Sequence, residues 1–306
     1  MKHIYIPPSK TAGLNNIKLA MFGMKLLADK NKCGYYIGDK VFDFSPSPNG
    51  SGEEYLSIDQ VFNVDKLFVA FPDSSPDEGK FVRLENKDYF VAGGAKLRAE
   101  LGQPQIVKNE TALVFSSFAP SENIQKEVDR IASFLPNDIC ALQLRIERDW
   151  QKYAKRKGWK DGERINGCHV VLNHLTILDK IQKSPEIPRY IYICSDEDDM
   201  IVDKSQLERD ARNRGLSLIF KSDFKMNISS RVQKSVIDFG VCQKIYKYIG
   251  TPRSTFSNIL CVVKAFDLGT HPEHYIFDAI SDQVEKRFDF GRAVTADKAI
   301  EKYYGL

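Results

Sequence analysis

The second half of the chain alternates between two periodicities of apolar residues. Continuous apolar runs predict buried strands at 139–146 ("ICALQLRI") and 189–196 ("RYIYICSD"), and shorter runs predict strands at 216–222 and 248–250. Most of these runs are followed by a segment whose apolar residues recur at helical spacing. Strands that alternate with helices predict an α/β lobe with a parallel sheet covered on both faces.

Helices are predicted where apolar residues recur at i, i+3 and i+4. The first of them in this half is 121–135, and Ser121 is its predicted N-cap. The other predicted helices are 170–181, 204–215, 231–248, 254–266, 273–288 and 295–304.

The first part of the chain has a weaker pattern. Residues 3–8 are strand-like, and after a turn-rich stretch residues 14–30 place apolar side chains near one helical face. The run 111–117 ("TALVFSS") predicts another strand. Residues 43–110 are weakly periodic, and the sequence does not predict how they are connected.

The chain of 306 residues is longer than most domains that fold around a single hydrophobic core, which predicts two lobes. We expect a less regular α/β lobe at 1–135 and a Rossmann-like lobe at 136–270. Residues 271–306 are expected to be helical and to pack back on the first lobe. Open parallel sheets bind ligands outside the carboxyl ends of their strands, so the site is expected there.

Composition and charge narrow the classes of function. Apolar residues make up 42% and charged residues 28%, as in ordinary globular proteins, and the formal net charge of +3 is too small to predict nucleic-acid binding. The six cysteines lack C-x-x-C spacing, which predicts neither zinc nor disulfides and favours a cytoplasmic protein. The sequence shows no secretory signal and no apolar run of about 18 residues. We therefore expect no transmembrane segment, while peripheral membrane association stays open.

Ionic residues crowd at the end of the first predicted strand. Alternation places Arg145 and Glu147 on one side of the strand and Leu144 and Ile146 on the other. Asp149 could cap the helix that follows. Arg145 is therefore either an ion-pair partner of these acids or a group that binds a ligand.

A second motif, "YIGTPRSTFS" at 248–257, predicts a strand that stops at Gly250 and a helix that opens at Ser254 or Thr255. The first backbone N–H groups of a helix have no partner within it, and two hydroxyls lie beside them here. Such a helix start is suited to bind phosphate. The alternative is that Ser254 serves only as an N-cap.

A third motif, "YICSDEDD" at 192–199, places four acids after a predicted strand. An Asp-x-Asp pattern allows a manganese site, but the preference of helix starts for negative charge explains the acids as well. Asp196 is the acid expected to face the cleft. The five histidines form no convincing site, and the absence of G-x-S-x-G, P-loop and G-x-G-x-x-G motifs weakens hydrolase, NTPase and dehydrogenase interpretations.

In order and spacing these motifs resemble the three C-terminal motifs of the GDP-fucose protein O-fucosyltransferases and their bacterial relatives. The matching stretches are 142–150 ("LQLRIERDW"), 192–197 ("YICSDE") and 238–257 ("DFGVCQKIYKYIGTPRSTFS"). Residues 12–28 ("AGLNNIKLAMFGMKLLA") are similar to that family's G-x-x-N-Q loop and helix, and 57–67 ("SIDQVFNVDKL") looks like its Phe-Asp segment. The resemblance suggests a bacterial or viral member.

The resemblance implies a GT-B fold, with two Rossmann-like lobes and a cleft between them. The nucleotide sugar would bind the C-terminal lobe, and the acceptor would enter from the N-terminal lobe. The implied reaction is inverting, metal-independent transfer of L-fucose or a similar deoxysugar from a GDP-sugar, without a cofactor. A glycan or lipid-linked acceptor would fit a cytoplasmic enzyme.

The same resemblance assigns roles to individual residues. Arg145 would hold the diphosphate, Asp238 would read the guanine, and Glu147 or Asp196 would be the general base. The remaining residues expected to bind the donor are Asn15, Asn16, Arg253, Ser254, Thr255 and Lys264.

The chain departs from the family's pattern at several positions. Gln143 stands where the family has histidine, Lys264 replaces an arginine, and Ala12 matches the arginine of the N-terminal loop. These differences leave open a transferase with a rhamnosyl or pentosyl donor, and a relative that binds nucleotide sugars without catalysis.

Overall fold

The computed structural model describes residues 3–6, 13–43, 54–71, 81–82, 89, 92–97, 110–165, 167–269 and 272–287. These residues form an N-terminal and a C-terminal lobe, and each lobe contains a parallel sheet. The strand predicted at the start of the chain is confirmed.

The N-terminal lobe is built on a small sheet. Its elements are β1 (His3–Ile6), α1 (Leu14–Asn31), β2 (Gly34–Ile37), β3 (Lys40–Asp43), β4 (Glu54–Ser57), α2 (Val64–Ala70), β5 (Phe81–Val82), α3 (Glu110–Ser117) and α4 (Glu122–Phe134). Strands β2, β1 and β5 pair in parallel in that order, and β3 and β4 form an antiparallel pair. Residues 92–97 are also helical.

The C-terminal lobe is built on a larger sheet. Its elements are β6 (Ile139–Gln143), α5 (Arg148–Arg156), β7 (Arg164–Ile165), β8 (Cys168–His169), α6 (His174–Gln182), β9 (Tyr190–Cys194), α7 (Lys204–Arg212), β10 (Ser217–Phe220), α8 (Arg231–Lys244), β11 (Lys247–Gly250), α9 (Thr255–Leu268), β12 (His274–Ile276) and β13 (Glu285–Lys286). The strand order is β10-β9-β6-β11-β12-β13, parallel apart from the antiparallel β13.

Strand β6 lies inside this sheet, and all of its residues are buried. Its side chains alternate between two hydrophobic cores: Ile139 and Ala141 pack in one core, and Cys140 and Leu142 pack in the other. A strand buried on both faces is apolar at nearly every position, which explains the apolar run. The exception is the last residue, Gln143, whose side chain is hydrogen-bonded. The buried strand carries Arg145, two residues beyond its end, to the carboxyl edge of the sheet.

The two lobes share one of these cores. Phe22 and Phe115 of the N-terminal lobe belong to the same cluster as Phe239 of α8. Helix α4 packs on α8 where Gly240 leaves room, because a Cβ there would lie 2.7 Å from a methyl group of Val128. Helix α4 is thus in contact with the C-terminal lobe, although the predicted boundary at residue 135 assigns it to the N-terminal lobe. Within the described residues, no helix has the length and apolarity needed to cross a membrane.

The strand predicted at 111–117 is wrong, since these residues lie in helix α3. Ala112, Phe115 and Phe118 are buried at intervals of three, while Leu113 is exposed. A short apolar run does not distinguish a buried helix from a buried strand. Here the segment packs as a helix against α2 and α9.

The helix predicted at 273–288 is also wrong. Strand β12 pairs in parallel with β11, and β13 pairs antiparallel with β12. Without β12 the edge of β11 would present unpaired backbone groups, and pairing satisfies them. Residues 272–287 therefore complete the C-terminal sheet instead of packing on the first lobe as helices. The helix predicted at 295–304 lies outside the described residues.

Candidate active site

A cleft of about 1180 Å³ opens at the carboxyl ends of β6, β9 and β11. The C-terminal lobe lines it with residues that follow these strands, and the first residues of α1 line it from the N-terminal lobe. Of the predicted site residues, those that line the cleft are Asn15, Asn16, Arg145, Glu147, Asp196, Asp238, Arg253, Ser254 and Thr255. Lys264 does not line it.

Arg145 presents its guanidinium group to the cleft just beyond β6. Its Nη1 lies 3.2 Å from Glu147 Oε2 and 3.8 Å from Asp149 Oδ1, and its Cζ lies 4.9 Å from the ring centre of Trp150. Among the described residues, Nε and Nη2 have no hydrogen-bond partner. Both interpretations of Arg145 thus hold at once, because it is ion-paired and still has donors free for an anion.

Glu147 is a buried carboxylate at the floor of the cleft, beside Arg145. The Ser195 hydroxyl donates to its Oε1 at 2.9 Å. Burial raises the pKa of Glu147, and the charge of Arg145 opposes that rise. A carboxylate with a raised pKa is better suited to take a proton than an exposed one.

The start of α9 offers unused hydrogen-bond donors to the same cleft. Ser254 is the N-cap residue, yet its side chain makes no capping hydrogen bond. The backbone N–H groups of Thr255 and Phe256 begin the helix and have no acceptor among the described residues. This arrangement favours the phosphate-site interpretation over the plain N-cap.

A hydrogen-bonded network fixes this helix start against β6. The buried Ser257 hydroxyl donates to Gln143 Oε1 at 2.8 Å, and the Tyr248 hydroxyl lies 2.9 Å from Ser257 Oγ. Gly250 is required here because a Cβ would lie 2.2 Å from Ser257 Oγ. Since β6 and β11 are parallel neighbours, the network brings the loop after each strand to the same edge of the sheet.

The N-terminal lobe contributes Asn15 and Asn16 from the first turn of α1. Asn15 Oδ1 is buried and has no hydrogen-bond partner in the part of the chain that the structure describes. A buried acceptor without a donor costs about 1–3 kcal/mol. A bound ligand that donates to this oxygen would recover that free energy.

Asp238 lines the cleft on the side of β9 and β10. The Tyr192 hydroxyl donates to its Oδ1 and the Lys221 ammonium to its Oδ2, both at 2.9 Å. Burial raises the pKa of Asp238 to about 6, and the charge of Lys221 opposes the rise, so the group is ionised at neutral pH. Each carboxylate oxygen thus accepts one hydrogen bond and keeps one further lone pair.

The four acids after β9 are each matched by a basic side chain. Asp196 pairs with Arg231, Glu197 lies 3.5 Å from Lys221 Nζ, Asp198 lies 3.6 Å from Lys234 Nζ and Asp199 lies 3.6 Å from Arg148 Nη1. Bases in these positions neutralise the charge that would attract a divalent cation. The acid cluster is therefore an ion-pair network, and Asp196 is held by Arg231.

Two predicted donor-binding side chains, Lys264 and Arg253, make contacts that hold the fold together. The Lys264 ammonium is buried and donates to the carbonyl oxygens of Ile245 and Tyr246 at the end of α8. The Arg253 guanidinium donates to Asp278 and to the carbonyl oxygen of His169, which fixes the β7–β8 hairpin. The assignment of Lys264 is corrected, because this side chain lies outside the cleft and serves buried backbone carbonyl groups. Arg253 lines the cleft, so its role in donor binding stays a prediction.

Sequence reasoning missed several residues that line or support the cleft. Gln143 was noted only as a departure, although it anchors α9, and Ser195 was not considered. The only signal for either was its position next to a strand end. Further missed residues of the cleft are Tyr153, Arg156, Trp159 and Lys221.

The comparisons with known proteins concern the fold. No protein family model matches the chain, and no curated protein matches it. Among solved structures, POFUT1 in complex with GDP-fucose matches with a TM-score of 0.57 and 12% sequence identity, covering 91% of this chain and 98% of that chain. POFUT1 in complex with GDP matches at 0.56 and 12%, covering 90% and 98%, and its apo form at 0.51 and 13%, covering 87% and 94%. The chain is similar to POFUT1 in fold, which confirms the predicted GT-B architecture of two lobes with a cleft.

Proposed function

We propose that the chain is an inverting, metal-independent glycosyltransferase that moves L-fucose or a similar deoxysugar from a GDP-sugar to a hydroxyl acceptor. One observation carries the proposal. The free donors of Arg145 and the free N–H groups at the start of α9 line the same cleft, at the ends of two neighbouring parallel strands. The similar POFUT1 structures are complexes with GDP-fucose and with GDP.

The diphosphate is the part of the donor that this arrangement fits. Phosphate oxygens accept from the Arg145 guanidinium and from Thr255 and Phe256 N–H, with the Ser254 hydroxyl beside them. As the sugar departs, negative charge grows on GDP, and Arg145 offsets it. At about 4 Å and an effective dielectric near 20, one unit charge contributes roughly 4 kcal/mol, or about a thousandfold in rate. A resident cation is then not needed for leaving-group stabilisation.

Glu147 is our proposed general base. Inverting transfer needs a group that takes the proton of the acceptor hydroxyl as that oxygen attacks the sugar. Glu147 combines burial, a raised pKa and a place beside Arg145, whereas Asp196 is paired with Arg231. When Arg145 binds phosphate, the phosphate offsets part of the positive charge that acts on Glu147. The carboxylate then accepts a proton more readily.

The nucleoside is assigned to the side of the cleft that contains Asp238. Guanine presents N1–H and N2–H₂ side by side, and the second lone pairs of Asp238 can accept from this edge. The buried Lys221 holds the carboxylate in place from behind. Asn15 supplies its side-chain oxygen, which has no partner among the described residues, from the opposite lobe to a donor group of the sugar or the acceptor. A glycan or lipid-linked acceptor is part of the proposal.

Nucleotide selectivity tests the proposal. Calorimetric titration with GDP, UDP and dTDP is expected to show GDP binding at least about tenfold more tightly, since two hydrogen bonds to an ionised carboxylate distinguish guanine. GMP serves as the control for the diphosphate and should bind more weakly than GDP. Tighter binding of UDP, or equal binding of GDP and GMP, would contradict the proposed donor.

A further inference from the structure

Three aromatic side chains, Trp150, Tyr153 and Trp159, form one continuous surface in the cleft, here called the aromatic wall. The Trp150 and Tyr153 rings stack with centroids 5.6 Å apart and an interplanar angle of 16°. Trp159 meets both edge-on, at 6.1 Å from Trp150 and 5.6 Å from Tyr153. Such contacts hold the rings in fixed positions before any ligand arrives.

The aromatic wall lies at the boundary between a small hydrophobic cluster and the cleft. All three rings are partly exposed and border the cleft. Trp159 rests on a small buried cluster of Ala154, Val170 and Val171, which supports it from behind. The Trp150 and Tyr153 rings stack on each other and each has a basic side chain over it, so Trp159 is the ring left for a ligand. A partly exposed aromatic ring that lines a concave site is a sign of ligand contact.

The Trp159 end of the aromatic wall lies away from the proposed nucleoside. Asp238 is bonded to Tyr192 of β9 and to Lys221 after β10. The hairpin that follows Trp159 is instead tied to the ends of β11 and β12, through Arg253 and Asp278. Since β6 lies between these strand pairs in the sheet, the hairpin after Trp159 and the Asp238 region lie on opposite sides of β6.

Polar side chains stand at the rim of the aromatic wall. Arg156 lines the cleft with its guanidinium 5.4 Å from the Tyr153 ring centre, and Asp149 lines it with a largely exposed carboxylate. The combination offers flat apolar faces flanked by one donor group and one acceptor group. A pyranose ring has the complementary surface, with C–H groups on its faces and hydroxyls around its rim.

We propose that the aromatic wall is a subsite for a pyranose ring of a saccharide acceptor, next to the reacting hydroxyl. This inference rests on the proposed function, because it places the acceptor on the side of Arg145 away from the nucleoside. One face of the sugar packs on Trp159, and its rim hydroxyls bond to Arg156 and Asp149. The acceptor is then recognised as a sugar ring and not only as a hydroxyl.

The chain has two tryptophans, Trp150 and Trp159, and both belong to the aromatic wall. Their indole N–H signals in a ¹⁵N NMR spectrum therefore report on this surface alone. The experiment titrates the GDP-saturated chain with methyl glycosides of glucose, galactose, mannose and N-acetylglucosamine. At least one glycoside is expected to shift both signals saturably, with GDP still bound.

Variants of Trp159 sharpen the test. Trp159→Ala should weaken the glycoside by on the order of tenfold, and Trp159→Phe, which keeps a ring, should weaken it much less. Both should leave GDP affinity within about twofold, as should Tyr246→Ala, an exposed aromatic residue outside the cleft that controls for ring removal.

The outcomes separate the two proposals. If GDP binds but no glycoside moves either indole signal, the saccharide subsite is refuted while the proposed function stands. If Trp159→Ala weakens GDP as much as the glycoside, the aromatic wall belongs to the nucleotide and the inference is overturned. If GDP fails to bind the wild-type chain, the proposed function fails first.

Discussion

Replacing Arg145 with alanine is expected to lower the rate of sugar transfer from GDP-fucose by about a thousandfold or more. The substitution removes the positive charge that offsets the growing charge on GDP. It also leaves Glu147 buried without its nearest cation. Turnover measured with GDP-fucose under single-turnover conditions gives the size of the loss. Thermal unfolding should show that the variant still folds, because the Arg145 side chain is 23% exposed and lies outside both sheet cores.

Two further arginine variants serve as controls. Arg145→Lys keeps the charge but loses the paired donors, so it should recover only part of the rate. Arg148→Ala removes a neighbouring arginine that pairs with Asp199 and does not line the cleft, and it should change the rate by less than about threefold. If Arg145→Ala keeps more than a tenth of the wild-type rate, the assignment of Arg145 is wrong.

Replacing Glu147 with glutamine is expected to lower the rate by about a hundredfold to ten-thousandfold, the usual contribution of a general base. Glutamine keeps the shape and can still accept from Ser195, but it cannot take the proton. GDP affinity should remain close to that of the wild type, since the nucleotide does not depend on this carboxylate. Asp196→Asn, the matched change at the other candidate base, should cost far less than Glu147→Gln. The reverse order of the two losses would make Asp196 the base.

The pH profile gives a second readout for Glu147. A base works only when deprotonated, so the rate should fall as the pH drops through the pKa of Glu147, which burial raises above its ordinary value. The Ser195 hydroxyl stabilises the charged form, so Ser195→Ala should raise this pKa further and move the acid limb of the profile to higher pH. If the acid limb of the Ser195→Ala profile stays where it is in the wild type, a group other than Glu147 controls the rate at low pH.

The central strands could be predicted from the sequence because each is buried on both faces. Strands β6, β9 and β11 are apolar almost throughout, and Arg145 and Ser254 follow directly from where two of them end. Helix α3 and strand β12 could not be predicted in this way. Each is a short apolar segment whose form depends on partners far along the chain, α9 for the helix and β11 for the strand.

A site residue could be predicted where its position at a strand end determines its role. It could not be predicted where its role depends on contacts with residues far along the chain. Lys264 matched the resemblance, yet its acceptors are carbonyl oxygens at the end of α8, about twenty residues away. Asp238 reaches the cleft as expected, but Tyr192 and Lys221 already occupy part of it. Such contacts arise only when separate elements pack together, and the same is true of the aromatic wall.

The most direct test is a crystal structure of the chain with GDP. The central claim is that Arg145 and the start of α9 bind the same diphosphate. We predict phosphate oxygens within hydrogen-bond distance of both the Arg145 guanidinium and the backbone N–H groups of Thr255 and Phe256, with the guanine on the Asp238 side. A diphosphate that contacts only one of the two groups, or that lies outside this cleft, would contradict the claim.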